Sequence, residues 1–216
     1  MIEGYSIHPV TEPDLPTLTQ FLLDAKLGLA VNRFLFRDWP NYEAQRRNYG
    51  AAIENGFYRN EESEMVKVVE DASGRGEVVA HLVWNHKKVK EEKGEEQIGE
   101  DGGQEEKDDV MGERQVPEGM VPEVFHMVVE GVRELAGVKK GVEHIELTHI
   151  YVLPQHRQKG IGTALVELVK QKAKEKGLPV LMGSEPQAKR LFETCGFEET
   201  GFVDWDLRRF AKENCG

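Results

Sequence analysis

The stretch Pro154-Gln155-His156-Arg157-Gln158-Lys159-Gly160-Ile161-Gly162 joins an aliphatic segment to a lysine-rich one, and its residue types suit the binding of an anion. Gly160 and Gly162 let a ligand come close to the backbone with no Cβ in the way. A helix that starts here leaves its first N–H groups without intrahelical acceptors, and such a terminus favours phosphate. Arg157 and Lys159 add positive charge to the same loop, so a diphosphate is the guest this chemistry points to. A P-loop is excluded, because Gly162 is followed by Thr163-Ala164 and not by Lys-Ser or Lys-Thr. A dinucleotide fingerprint fits poorly, since its third glycine position holds Leu165. A turn that uses two glycines for geometry alone is the remaining alternative.

Elements must position that loop. His144 to Leu153 is β-branched and aliphatic and reads as the strand that enters it. Ile161, Ala164, Leu165, Leu168, Val169 and Ala173 form one stripe of the helix that leaves it, with Lys170 to Lys176 suited to its C-terminal dipole and Gly177 as its stop. Upstream, Tyr5 to Pro9 reads as an edge strand, and Thr11 caps a helix that carries Leu15, Leu18, Leu22 and Leu23. A loop from Leu27 to Pro40 follows, then a helix from Asn41 to about Glu54 stopped by Asn55-Gly56. Met65 to Glu70 and Val78 to Trp84 read as a hairpin, and Pro122 to Leu135 as a helix. Pro179 to Met182 predicts a short buried strand, Gln187 to Thr194 a short helix, and Gly196 to about Leu207 a final strand pair. This order predicts one mixed α/β domain around a central sheet, spanning residues 1–216.

Charge divides the chain unevenly. Of the net −11, residues 90–113 carry −8, with no aromatic side chain to bury. Such a composition cannot offset its ordering entropy, so a disordered acidic insertion is predicted at about 87–117, either a solvated loop or an arm that binds a partner. Residues 154–177 reverse the sign to +4, in keeping with an anionic ligand. With a pI near 5.2 and this single basic patch, nucleic acid is a poor partner. No apolar run reaches a membrane span, and residues 1–10 lack the pattern of a secretory signal, so no membrane role is expected. Cys195 and Cys215 make no disulfide framework and fit a reducing compartment, the cytoplasm ahead of the nucleus. The seven histidines do not cluster at ligand spacings, so no metal is expected.

The series Val152, Pro154, Arg157, Gly160, Ile161, Gly162, Leu165 resembles the acetyl-CoA-binding motif of the GNAT acetyltransferase superfamily. Leu191-Phe192 followed by Gly196-Phe197 resembles its second motif, and the order of elements matches outside the acidic insertion. The resemblance implies a mostly antiparallel sheet, splayed between its fourth and fifth strands and flanked by helices. It implies acetyl-CoA as cosubstrate, with pantetheine along Ile150, Tyr151 and Val152. The loop formed by Arg157, Gln158, Lys159, Gly160, Ile161, Gly162 and Thr163 would hold the pyrophosphate. It implies an N-acetyltransferase that passes the acetyl group to a primary amine, a small molecule in preference to a protein, by direct attack in a ternary complex. A backbone N–H near Ile150 or Tyr151 would polarise the thioester carbonyl. Glu146, 11 residues before Arg157, is the leading base, with Thr148 on its face to hold a water. His149 falls on the opposite face by strand alternation and ranks below it. Phe192 stands where the family carries a tyrosine acid, which leaves water, Tyr151 or another hydroxyl to protonate the thiolate. That departure motivates a second expectation, a non-catalytic acyl-CoA-binding module with a partner-binding acidic loop. Glu185-Pro186 departs from the family where an asparagine-containing helix start is usual, and Cys195 reads as packing. Phe34, Phe36, Asp38 and Trp39 are the candidates for the acceptor pocket, with core packing the competing role for the aromatics. The oligomeric state stays open between monomer and homodimer.

Overall fold

The computed structural model describes residues 2–73, 76–89, 115–137, 139 and 141–211. Most of the predicted acidic insertion lies outside the described residues. β1 (Tyr5–Pro9) runs along one edge of the sheet. Thr11 and Asp14 then form a capping box: the Thr11 amide and hydroxyl both donate to Asp14 Oδ2, at 2.8 and 2.7 Å, around a one-turn 3₁₀ segment. This launches α1 (Leu15–Leu27), with Leu15, Leu18, Phe21 and Leu23 buried. α2 (Ala30–Leu35) lies within the segment the sequence reads as loop. Its six residues bury Asn32 and Leu35, so tertiary packing and not propensity selects it.

α3 (Tyr42–Tyr58) starts at the predicted Asn41, whose Oδ1 accepts from the Ala44 amide at 3.2 Å. It continues past the predicted stop. A Cβ at Gly56 would fall 2.6 Å from Met65 Cε, so that glycine makes room for the sheet and does not end the helix. β2 (Ser63–Glu70) and β3 (Val78–Lys87) form the predicted hairpin. α4 (Pro122–Gly137), β4 (His144–Val152), α5 (Ile161–Lys176), β5 (Val180–Met182), α6 (Lys189–Thr194) and α7 (Arg208–Ala211) complete the order.

The expected mixed α/β fold is present, with strand order β1-β2-β3-β4-β5, antiparallel up to β4 and parallel between β4 and β5. β5 pairs with β4 through Ile145 to Leu147, so among the described residues 148–152 have no strand on that side. This is the expected splay. One face of the sheet packs Leu82, Trp84, Ile145 and Leu147 against Ile161, Leu165, Val166 and Val169 of α5. A fully buried aliphatic chain there contributes about 1.5–3 kcal/mol. The other face meets α1 and α3 through Leu18, Phe21, Ile53 and Tyr151. β5 is half-buried, not buried as expected, because β4 is its single strand neighbour.

The predicted final strand pair is absent: residues 197–206 carry no strand. Val203 and Trp205 lie against α4 instead, where a Cβ at Gly131 would stand 2.9 Å from Val203 and 2.5 Å from Trp205 Nε1. Their alternation reflects contact with a helix that has been thinned to receive them. Among the described residues no helix is long and apolar enough to cross a membrane.

Candidate active site

β4 delivers the chain into the glycine loop through a 3₁₀ turn at Pro154–His156. Gln158 (φ 61°) and Gly160 (φ 82°) both adopt the left-handed conformation that reverses the chain before α5. The first helical bond runs from the Ala164 amide to the Gly160 carbonyl at 3.0 Å. The amides of Ile161, Gly162 and Thr163 precede it and have no acceptor in the helix. Beyond its chain neighbours, no heavy atom of the described residues lies within 4 Å of a Cβ built on Gly160, so this side of the helix start borders open space. Gly162 has a different duty, since its Cβ would press on Leu191 of α6 at 3.3 Å. Ile161 is buried under the sheet and anchors the first turn.

The two cations of the loop are braces. Arg157 Nε donates to the Val152 carbonyl at 2.9 Å, and its guanidinium lies 5.7 Å from the centre of the Tyr151 ring. Lys159 Nζ donates to Tyr5 Oη at 3.0 Å, and that hydroxyl also meets His156 Nδ1 at 3.0 Å. Tyr5 on β1 therefore pins the loop from the far edge of the sheet, a contact that nothing in the local sequence announces. The arrangement fits a diphosphate, which the helix-start amides would hold while Arg157 and Lys159 fix the loop.

On β4, a register shift opposite Val83 and Trp84 inserts one extra residue. Leu147, Ile150 and Val152 consequently join the same cluster, although strict alternation would separate Leu147 from Ile150. His149 does not lie opposite Glu146, as alternation predicts. The bulge brings it to the face of Glu146 and Tyr151, where its ring sits 5.4 Å from that of His81. Thr148 is exposed and receives a hydrogen bond from Asn85 Nδ2 at 3.1 Å. Glu146 is held by Lys139 Nζ at 2.6 Å. Tyr151 is buried against Phe21, ring centres 5.1 Å apart, and burial pushes its hydroxyl above the ordinary value.

His81 Nδ1 and Nε2 and His149 Nε2 are buried with no partner among the described residues. Burial holds the His81 imidazole down at about 3 and that of His149 at about 4, so both are neutral at pH 7. Near His149, Lys26 at the end of α1 pairs with Glu185 at 2.7 Å. Burial raises the Glu185 carboxyl, and Lys26 more than offsets this, so the group ends below its ordinary value. The sequence names Glu185 only as a departure and does not mark Lys26.

Phe36 is buried with Leu35, Ala44, Val124 and Phe210, and Phe34 and Trp39 pack on the same cluster. Asp38 is exposed. Phe34, Phe36 and Trp39 thus belong to the cluster between α2 and α4, apart from the two clusters that pack on β4. Phe192 is buried, edge-on to Phe197 at 5.7 Å. Cys195 is buried too, and burial raises its thiol. Among the described residues no group of His, Cys, Asp or Glu could hold a metal ion.

Comparison with known proteins agrees with this geometry. Residues 85–203 match the family model described as an acetyltransferase (GNAT) domain. A Corynebacterium glutamicum structure described as "histone acetyltransferase HPA2 and related acetyltransferase" superposes with a TM-score of 0.58 at 14% identity, over 94% of this chain and 90% of that one. A ribosomal-protein-alanine N-acetyltransferase from Brucella melitensis biovar Abortus gives 0.50 at 14% identity, over 94% and 98%. An aminoglycoside N-acetyltransferase solved in complex with CoA gives 0.50 at 13% identity, over 93% and 92%. No curated protein matches the sequence.

Proposed function

The chain belongs to the GNAT acetyltransferase family, and from that membership we propose that it moves the acetyl group of acetyl-CoA to a primary amine of a small molecule by direct attack in a ternary complex. The observation that carries this reading is the backbone of β4: among the described residues it has no strand partner beyond Leu147 on its β5 side, and it leads through the glycine loop to the start of α5, where Gly160 borders open space. The edge of β4 at Ile150, Tyr151 and Val152, which β5 does not reach and where Arg157 already meets the Val152 carbonyl, suits an extended arm that adds to a strand by backbone hydrogen bonds, and the loop from Gln158 to Thr163 suits its diphosphate. The CoA held by the aminoglycoside N-acetyltransferase neighbour supports the same cosubstrate.

Bound acetyl-CoA supplies an activated thioester carbonyl. The chain's part is to polarise that carbonyl, to accept a proton from the amine and to return one to sulfur. A backbone N–H at Ile150 or Tyr151 serves the first task. An alkylamine has a pKa near that of lysine, about 10.4, so its proton must be removed before attack. Glu146 can take this role only by releasing Lys139, and Thr148, exposed beside Asn85, is placed to hold an intervening water. Tyr151, protonated at neutral pH like any tyrosine and raised further by burial, is the proposed donor to the leaving thiolate. On this reading Phe34, Asp38 and Trp39 would line the acceptor pocket from the α2 side, with Phe36 supporting them from the core cluster it shares with Phe34 and Trp39. The protein acts in the cytoplasm on this reading.

Phe192 favours one competing reading, a non-catalytic acyl-CoA-binding module: its buried ring offers no hydroxyl where the family's acid would stand. Thiol release from acetyl-CoA across a panel of primary amines tests both. Turnover with a small amine supports the enzyme, turnover only with protein amines overturns the small-molecule acceptor, and CoA binding without turnover on any amine supports the module.

A further inference from the structure

The pair formed by Lys26 and Glu185 joins the last turn of α1 to the segment that follows β5. β4 and β5 run parallel and part after Leu147 and Met182, so the three residues that lead from Met182 to Glu185 advance along the side where β4 has lost its strand neighbour. Lys26 reaches Glu185 from the last turn of α1, the helix that covers the Tyr151 face of the sheet. His149 feels both charges, and its buried Nε2 has no partner among the described residues. The site thus gathers a carboxylate, a neutral imidazole nitrogen and a primary alkylammonium, and the last of these is itself a member of the acceptor's chemical class. A lysine side chain at about one-third exposure is flexible enough to leave.

We propose that Glu185 is the anchor for the acceptor's ammonium group, that Lys26 is the resident cation a substrate displaces, and that His149 Nε2 is the second hydrogen-bond partner of the bound amine. The exchange is of like for like: one alkylammonium leaves the carboxylate as another arrives, so no net charge is buried, and the incoming group gains the unsatisfied imidazole nitrogen. Acceptors that are cationic at neutral pH are therefore selected over uncharged amines. The proposal rests on the acetyltransferase reading for the identity of the guest but not for the binding it describes.

The full chain, saturated with CoA so that no transfer occurs, is titrated calorimetrically with benzylamine, an ammonium at neutral pH, and with aniline, which is uncharged there. Glu185→Gln weakens benzylamine about tenfold, the size expected for losing one charge-assisted hydrogen bond. Lys26→Met, which removes the competitor, tightens benzylamine several-fold. Aniline moves less than twofold in either variant. If both substitutions weaken benzylamine alike, or aniline shifts as much as benzylamine, the pair is a structural bridge and the anchor is refuted. Failure of the parent and of Lys26→Met to bind benzylamine refutes it too. CoA affinity, measured in the same titrations, reports separately on the cosubstrate site: loss of CoA binding in the parent would sink the acetyltransferase reading, and the amine arms, run without CoA, would still decide the anchor.

Discussion

Gly160 gives a way to separate the fold of the loop from its use. It caps α5 at φ 82° and ψ −2°, and a side chain there would meet nothing within 4 Å. Asn and Asp tolerate the left-handed region best among non-glycine residues, at a cost of about 1 kcal/mol. Part of that is offset by capping the helix amides, worth about 1 kcal/mol. In a chain of 216 residues, about 1 kcal/mol moves the melting temperature by about 2–4 °C. Gly160→Asn and Gly160→Asp should therefore both melt within about 4 °C of the parent. CoA distinguishes them. A carboxylate about 4 Å from a bound phosphate opposes it by about 4 kcal/mol at an effective dielectric constant of about 20, close to a thousandfold in Kd. The amide of Asn adds bulk without charge and should cost about tenfold at most. Calorimetric titration with CoA and thermal melting measure the two quantities. An Asp variant that binds CoA within threefold of the Asn variant would show that no phosphate lies at this helix start.

Two further outcomes concern the buried ionisable groups. His81 has a folded value of about 3 against 6.5 unfolded. A depressed value means stability complete above 6.5 and lost as pH falls, by about 2 kcal/mol at pH 5, so His81→Leu should flatten the fall in melting temperature between pH 7 and 5; an unchanged slope would place the titration elsewhere. Asp14 accepts two bonds from Lys67 Nζ at 2.6 and 2.7 Å, and these with the Thr11 bonds outweigh the opposing effect of burial and hold its carboxyl below 3.8. Its contribution is present above 3.8 and lost as pH drops through the lower folded value, while Asp14→Ala, which strands a largely buried Lys67, should cost about 3–5 kcal/mol in urea unfolding. A loss under 1 kcal/mol would mean that Lys67 finds water.

What the sequence makes legible follows from how local each signal is. The cap at Thr11, which here opens the 3₁₀ turn leading into α1, the Asn41 cap, the stripe on α5 and the glycine loop each depend on residues within a turn or two of one another, and each appears where expected. α2 and the segment from Gly196 to Leu207 are different, because distant contacts decide them. Val203 and Trp205 alternate as a strand would, yet what they meet is Gly131, more than 70 residues away in the chain. Tyr5 pins a loop some 150 residues further on. No window of sequence holds both partners.

The bulge in β4 has the largest consequence for the site. Alternation is the rule by which a strand's faces are read, and a single inserted residue inverts it for everything beyond. Counted strictly, Glu146 and Thr148 belong to one face and His149 to the other. With the extra residue opposite Val83, His149 turns to the side of His81, Glu146 and Tyr151. The position left without a partner opposite Val83 and Trp84 is Thr148, which directly follows Leu147, the last residue of β4 to pair with β5. The end of that pairing and the buried, neutral nitrogen of His149, which senses the charges of Lys26 and Glu185, therefore fall within two residues of each other on β4.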